Sequence, residues 1–165
     1  MGDPLPMLTA PEGPVVARTR FATMARDEDT MSTNEAIEAL FIELELPFER
    51  LGEAMWVVVD ESDHIESLVV YRTGTVLNFR VKVVALPEEP SAELFRTLLE
   101  LNAADMVHGA YGIEEDAVVL VESLEVENLD LNELQAVIES FGIALSTHHP
   151  RISSHLPSND AAAAN

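Results

Sequence analysis

Residues 76–124, VLNFRVKVVALPEEPSAELFRTLLELNAADMVHGAYGIEEDAVVLVESL, decide the fold that this chain is expected to adopt. The first ten residues place apolar side chains on one face and polar ones on the other, as in a strand. Two prolines end that strand, and Ser91 can cap the helix that follows. Apolar stretches at 106–113 and 117–124 then flank a short acidic turn, which predicts a β-hairpin.

The same reasoning extends toward both ends of the chain. Residues 32–35, Ser-Thr-Asn-Glu, form a capping-box pattern that predicts the start of a helix, and Pro47 closes that helix. Residues 54–59 and 67–72 are rich in strand-forming side chains, and a third helix is predicted from Leu131 onward. The predicted order is α-βββ-α-ββ-α. Because short turns join the strands, we expect an antiparallel, twisted sheet packed with helices, which is an α+β fold.

The predicted domain organisation is one folded domain between two tails. Residues 1–31 contain four prolines and no apolar periodicity, so we expect a flexible, proline-rich leader. Residues 32–150 are predicted to form a single α+β domain, and residues 151–165 a disordered tail.

Charge is the most unusual property of the composition. Thirty acidic residues and nine basic ones give a net charge of −21. Such a polyanion is repelled by phosphate backbones and by anionic lipid surfaces, so neither nucleic acid nor a membrane is expected as a partner. The chain has no cysteine and no long apolar run. We therefore predict a cytoplasmic location.

The apolar residues outnumber what one buried sheet face requires. In residues 55–59 and 118–121 apolar side chains fall on both faces of the predicted strand. A strand that is apolar on both faces must be covered on both. A second polypeptide, in the first instance another copy of this chain, would cover the surplus. The alternative is a compact monomer that packs all of these side chains itself.

Chemistry-bearing residues are few and do not form a known catalytic motif. The chain has no GxSxG, GxxxxGK[ST] or GxGxxG sequence, so we predict no enzyme activity, no cofactor and no metal. The alternative hypothesis is a small enzyme or metal-binding protein that uses His108, placed in the fourth predicted strand, or His64 with nearby carboxylates. A weaker hypothesis is a small anion-binding stripe formed by Arg80 and Lys82.

The order of elements resembles the class I type III secretion chaperones, the family of the Tir chaperone. One block of the sequence is also similar to the YbjN proteins, which are described as sensory transduction regulators. In that block a helix ends in a leucine–asparagine pair, a strand with a histidine, a glycine and an aromatic residue follows, and an acidic turn leads to an apolar strand. The block comprises Leu101-Asn102-Ala103, His108-Gly109-Ala110-Tyr111-Gly112 and Val118-Val119-Leu120-Val121.

The resemblance implies a function and assigns residues to it. It implies a non-catalytic, homodimeric protein-binding module, a chaperone-like or regulatory adaptor that holds an extended segment of a client protein. The second helix lies at the dimer contact in that family, which assigns Leu94, Leu98 and Leu101 to the interface. The first helix and the first strands commonly meet the client, which assigns Ile42, Leu46 and Trp56 to partner binding. The proline-rich leader departs from the chaperone pattern.

Overall fold

The computed structural model describes residues 28–60 and 65–157. They form an α+β fold of three α-helices, one 3₁₀ turn and a six-stranded antiparallel sheet, in agreement with the predicted class. The elements in chain order are α1 (Glu28–Glu43), β1 (Phe48–Gly52), β2 (Met55–Asp60), β3 (Ile65–Thr73), β4 (Val76–Ala85), α2 (Ala92–Ala104), β5 (Ala110–Glu114), β6 (Ala117–Glu125), the 3₁₀ turn (Val126–Asn128) and α3 (Leu131–Ser153).

The sheet has the strand order β1-β2-β3-β4-β6-β5. One row of paired residues crosses all six strands on the face that carries the helices, and five of its six side chains are buried. Buried side chains of α1, α2 and α3 join this row in a single hydrophobic core. The row consists of Phe48, Val58, Leu68, Val81, Leu120 and Tyr111.

The neighbouring row of paired residues lies on the opposite face of the sheet. Because side chains alternate along a strand, these residues point away from the helices. Five of the six are only partly buried, and Glu49 is exposed. The row consists of Glu49, Val57, Val69, Arg80, Val121 and Ala110. This second face, which we call the open sheet face, carries valine side chains that stay partly exposed.

Side-chain caps set the start of two helices. Ser91 accepts a hydrogen bond from the backbone N–H of Leu94 at 3.2 Å, as its position before the apolar repeat predicts. Asp130 accepts one from the N–H of Glu133 at 2.8 Å and begins α3 in the same way. Each cap satisfies an amide that has no partner within its own helix.

The first strand was not predicted. β1 has the sequence FERLG, in which charged residues interrupt the apolar ones, and four of its five residues are exposed. It is a strand because its backbone pairs with β2 at the edge of the sheet.

The β5–β6 hairpin begins later than the sequence predicted. β5 begins at Ala110, so residues 106–109 form a loop, and the placement of His108 inside a strand was wrong.

Two helices extend beyond their expected ends. α1 begins at Glu28, so the capping-box residues 32–35 lie inside the helix and do not start it. α3 continues through Gly142 and Pro150 to Ser153. Ile152 is fully buried in the core. The folded region therefore begins before residue 32 and ends after residue 150, the predicted boundaries of the domain. Most of the predicted leader and tail lies outside the described residues.

Candidate protein-binding surfaces

The three leucines assigned to the dimer contact are in the core of a single chain. Leu94, Leu98 and Leu101 are 0%, 4% and 1% exposed and belong to the same cluster as the buried residues of the sheet. Their spacing marks the face of α2 that packs inward. They are therefore unavailable to a second copy, and a contact through this helix would have to use its other face.

The outer face of α2 carries the apolar surface that the helix leaves exposed. Leu99 is 69% exposed, and a shallow depression of about 540 Å³ is lined by Leu99, Phe95, Ala92 and Ala103. Charged side chains border it. Arg96 Nε lies 3.0 Å from Glu100 Oε1, and Arg151 from α3 also binds Glu100, at 2.7 Å. The hydrogen bond from Arg96, with a smaller contribution from Arg151, lowers the pKa of Glu100.

The three residues assigned to partner binding are divided between surface and core. Ile42 on α1 is 67% exposed. Leu46 is 8% exposed and Trp56 is fully buried, so neither presents its side chain to a partner. Trp56 packs edge-on against Phe41, with ring centroids 6.0 Å apart, and its indole N–H donates to Glu38 Oε1 at 2.7 Å. The Trp56 side chain is therefore part of the hydrophobic core.

The open sheet face adds a wider apolar surface. Val57, Val69 and Val121 are partly exposed there, and Met55 at 40% exposure extends it toward the β1–β2 edge. Leu51 in β1 is 56% exposed. Apolar side chains thus lie on both faces of these strands, as their sequence predicts, and those on the open sheet face stay partly exposed. The surplus apolar surface is therefore real in the isolated chain.

The cationic residues of β4 lie beside a groove but do not form an isolated positive stripe. Arg80 forms an ion pair with Glu114 of β5, which neutralises its charge. A groove of about 730 Å³ between the sheet and the C-terminal half of α3 is lined by Arg80, Lys82 and His149 together with valine and serine residues. The groove has no opposing pair of unpaired cations, so the geometry gives the anion hypothesis little support.

His108 does not sit in a catalytic arrangement. It lies on the loop before β5, and its Nδ1 is 4.0 Å from Glu122 Oε2. His64 lies outside the described residues. Among the residues that the structure describes, no three histidine or acidic side chains converge as metal ligands would. Within the same residues, none of the helices combines the length and the apolar content that a bilayer span requires.

A buried histidine was missed by sequence reasoning. His148 is 8% exposed, and its Nδ1 lies 3.0 Å from the hydroxyl of Tyr111. Burial lowers the pKa of His148 and raises the pKa of the Tyr111 phenol. The Tyr111 backbone in turn exchanges two hydrogen bonds with the Asn102 side chain, so this pair ties α3 to α2 and β5. Its position in the α3 period, seven residues after the buried Phe141, was the available signal.

Three α-helices and a six-stranded antiparallel sheet match the fold of type III secretion chaperones. The sequence supports this assignment independently, since a family model matches residues 30–156. The chain therefore belongs to the CesT_Tir_1 family of type III secretion chaperones. The resemblance to the chaperones is thus confirmed, and the narrower resemblance to the YbjN proteins stays a prediction.

Solved structures show the same fold at low sequence identity. The chain is similar to a chain of the heterodimeric ExoU–SpcU complex from the type III secretion system of Pseudomonas aeruginosa. That match has a TM-score of 0.56 and 16% identity, and covers 73% of this chain and 97% of the other. A chain of the HopA1–SchA chaperone–effector complex matches with a TM-score of 0.56 and 14% identity, covering 75% and 98%.

A third structure contains the Yersinia pestis type III secretion chaperone SycH with a stable fragment of YscM2. It matches with a TM-score of 0.50 and 16% identity, covering 70% of this chain and 98% of the other. At such identities the likeness establishes the fold alone. The sequence matches no curated protein significantly.

Proposed function

We propose that this protein is a non-catalytic binding module that acts as a homodimer and holds an extended segment of a client protein. Membership of the type III secretion chaperone family supports a protein-binding role. One structure with the same fold is described as a chaperone–effector complex, and another as a chaperone in complex with a fragment of a second protein, which favours a polypeptide client. The cytoplasmic location predicted from the sequence stays part of this proposal.

The observation that carries the proposal is the apolar surface left exposed on a strongly acidic body. Burial of apolar surface is favourable by about 25 cal/mol per Å², so a protein gains by covering such a surface with a partner. The exposed residues fall on separate elements. Leu99 lies on α2, Ile42 on α1 and Met55 on the open sheet face. Separate patches suit two kinds of contact, one between copies and one with a client.

The dimer contact is proposed for the outer face of α2. Leu99 and Phe95 form its apolar centre, and the Arg96–Glu100 pair lies at its rim. A self-complementary contact of this composition suits a two-fold dimer, in which the same patch serves both copies. The helix is thus the element that the family resemblance indicated, with the outward residues replacing Leu94, Leu98 and Leu101.

Light scattering coupled to size exclusion tests the dimer. Leu99→Glu is expected to convert a dimeric mass to a monomeric one, because it places two carboxylates in the proposed apolar centre. Ile113→Glu is the matched control, since Ile113 is 49% exposed on β5, and it should leave the mass unchanged. A monomeric mass for the unmodified protein, or a dimer that survives Leu99→Glu, contradicts this part of the proposal.

Affinity purification from the native cell tests the client. The unmodified protein, the double variant Ile42→Glu with Met55→Glu, and the Ile113→Glu control would be compared by mass spectrometry of the proteins that accompany each. We expect at least one protein to be retained by the unmodified chain and the control and lost by the double variant. Identical recoveries from all three would show that α1 and the open sheet face do not bind the client.

A further inference from the structure

A second apolar feature lies between α3 and the loop that precedes β5. This groove has a volume of about 220 Å³. Val107 and Ile143 form its walls and are 83% and 63% exposed. The small side chains of Ala136 and Ala144 leave room between them, and the carboxylates of Asp105 and Glu139 stand at its border; these six residues, with His108 and Ser140, line the groove. A large apolar side chain with basic residues near it would match both the apolar lining and the two carboxylates.

The loop that forms one wall is firmly held. The backbone N–H of His108 donates to Ser140 Oγ at 3.1 Å, and that hydroxyl donates to the His108 carbonyl at 3.2 Å. The N–H of Gly109 donates to Glu122 Oε2 at 2.6 Å. Gly109 has a φ of +82°, and a Cβ there would lie 2.7 Å from Phe141 Cε1. The loop therefore presents Val107 outward in a fixed conformation, which lowers the entropic cost of binding.

The chain itself contains a segment of the complementary chemistry. Residues 14–26, PVVARTRFATMAR, hold three of the nine basic residues of the protein and none of its thirty acidic ones. Phe21 lies near the centre of this segment, with Arg18 and Arg20 before it and Arg26 after it. We propose that residues 14–26 bind the groove of the same chain, with Phe21 between Val107 and Ile143.

Chain length is compatible with this contact. The side chain of Asn34 in α1 accepts a hydrogen bond from Arg72 Nε at 2.9 Å, which fixes this part of α1 at the C-terminal end of β3. Arg72 pairs with Leu77 of β4, which pairs with Leu124 of β6, so this end of β3 lies two strands, about 10 Å, from the end of β6 that holds the loop through Glu122. Glu28 lies six residues before Asn34 along α1, which adds about 9 Å. The seven residues from Phe21 to Glu28 can span up to about 24 Å when extended.

Covalent linkage makes a small contact sufficient. A segment attached to the same chain has an effective concentration in the millimolar range, so one aromatic side chain and two charge pairs can occupy the groove for much of the time. The charge pairs are exposed, so salt weakens them. The segment would also compete with any other polypeptide that reaches the groove. The inference does not depend on the proposed function, because the occupant belongs to the same chain.

Paramagnetic relaxation enhancement in the full chain tests the contact. The protein has no cysteine, so Thr23→Cys gives a single attachment site for a nitroxide label. In an isotope-labelled sample we expect the oxidised label to remove the amide signals of residues 105–109 and 139–144, and reduction to restore them. Signals that survive there, or are lost only elsewhere, overturn the proposal.

Variants separate the groove from a general attraction between opposite charges. Ile143→Lys and, separately, Phe21→Ala should restore the amide signals in the Thr23→Cys background. Ile113→Lys is the matched control, an exposed isoleucine of β5 given the same charge, and it should leave the signal loss unchanged. If Ile143→Lys and Ile113→Lys have equal effects, the contact depends on charge alone and the proposed site is wrong. Signal loss that appears between differently labelled chains would overturn the assignment to the same chain.

Discussion

Gly109 offers the sharpest test of how the loop before β5 is held. Its φ of +82° is a conformation that side-chain-bearing residues rarely adopt, and a Cβ would meet Phe141 Cε1 at 2.7 Å and the Val121 carbonyl oxygen at 3.0 Å. Phe141 is fully buried. The aromatic ring cannot move aside without disturbing the core, so Gly109→Ala adds overpacking to backbone strain.

Gly74 separates these two effects. It lies in the turn between β3 and β4 with a φ of +62°, and nothing lies within 4 Å of a Cβ at that position. Gly74→Ala is expected to lower the free energy of unfolding by about 1 kcal/mol, because left-handed strain of about 1–2 kcal/mol is partly offset by a less flexible unfolded chain. Gly109→Ala adds the cost of overpacking, about 1–3 kcal/mol, for a loss of about 2–4 kcal/mol.

Urea denaturation followed by the fluorescence of Trp56 measures both losses, since this single tryptophan is fully buried in the native core. All samples must have the same protein concentration, because self-association would contribute to the apparent stability. Equal losses for the two alanine variants, or a smaller loss for Gly109→Ala, would refute the claim that the ring of Phe141 limits the space at Gly109.

Three further predictions concern buried polar groups. Burial holds the pKa of His148 in the folded protein below its ordinary value of about 6.5. The unfolded chain therefore binds more protons at a pH between the folded and the unfolded pKa, and the free energy of unfolding decreases as the pH falls below about 6.5. In urea titrations, His148→Gln should lose less stability than the unmodified protein between pH 7.5 and 5.5. Tyr111→Phe removes the hydroxyl that lies 3.0 Å from His148 Nδ1 and should cost about 1 kcal/mol in thermal and urea unfolding. Glu38→Ala leaves the buried indole N–H of Trp56 without its acceptor and should cost about 1–3 kcal/mol, whereas Glu43→Ala on the same helix, which is exposed, should change stability little.

The sequence pattern was sufficient to predict a helix or strand where apolar residues repeat with a clear period. The spacing of Leu94, Leu98 and Leu101 predicted α2, and Ser91 marked its start within one residue. The alternation in residues 76–85 predicted β4 with its observed bounds. In both elements the side chains that create the pattern are the ones buried in the core, so the pattern and the packing have the same cause.

Strands and binding surfaces that depend on residues distant in sequence could not be predicted from the local sequence pattern. β1 owes its existence to pairing with β2, and its own residues carry no period because most of them are exposed. The same leucine period that predicted α2 could equally mark a core face or a dimer face. Periodicity shows that one face is apolar, and only the position of the sheet shows that this face is covered within the chain.

The amino-acid sequence alone determined the α+β class, the succession of most helices and strands, the strong negative charge and an excess of apolar side chains, because each of these follows from composition or from a short period along the chain. Tertiary structure decided which apolar residues remain exposed. Trp56 is buried and Leu99 is exposed because exposure depends on which elements pack over a residue, and that is a relation between segments distant in sequence.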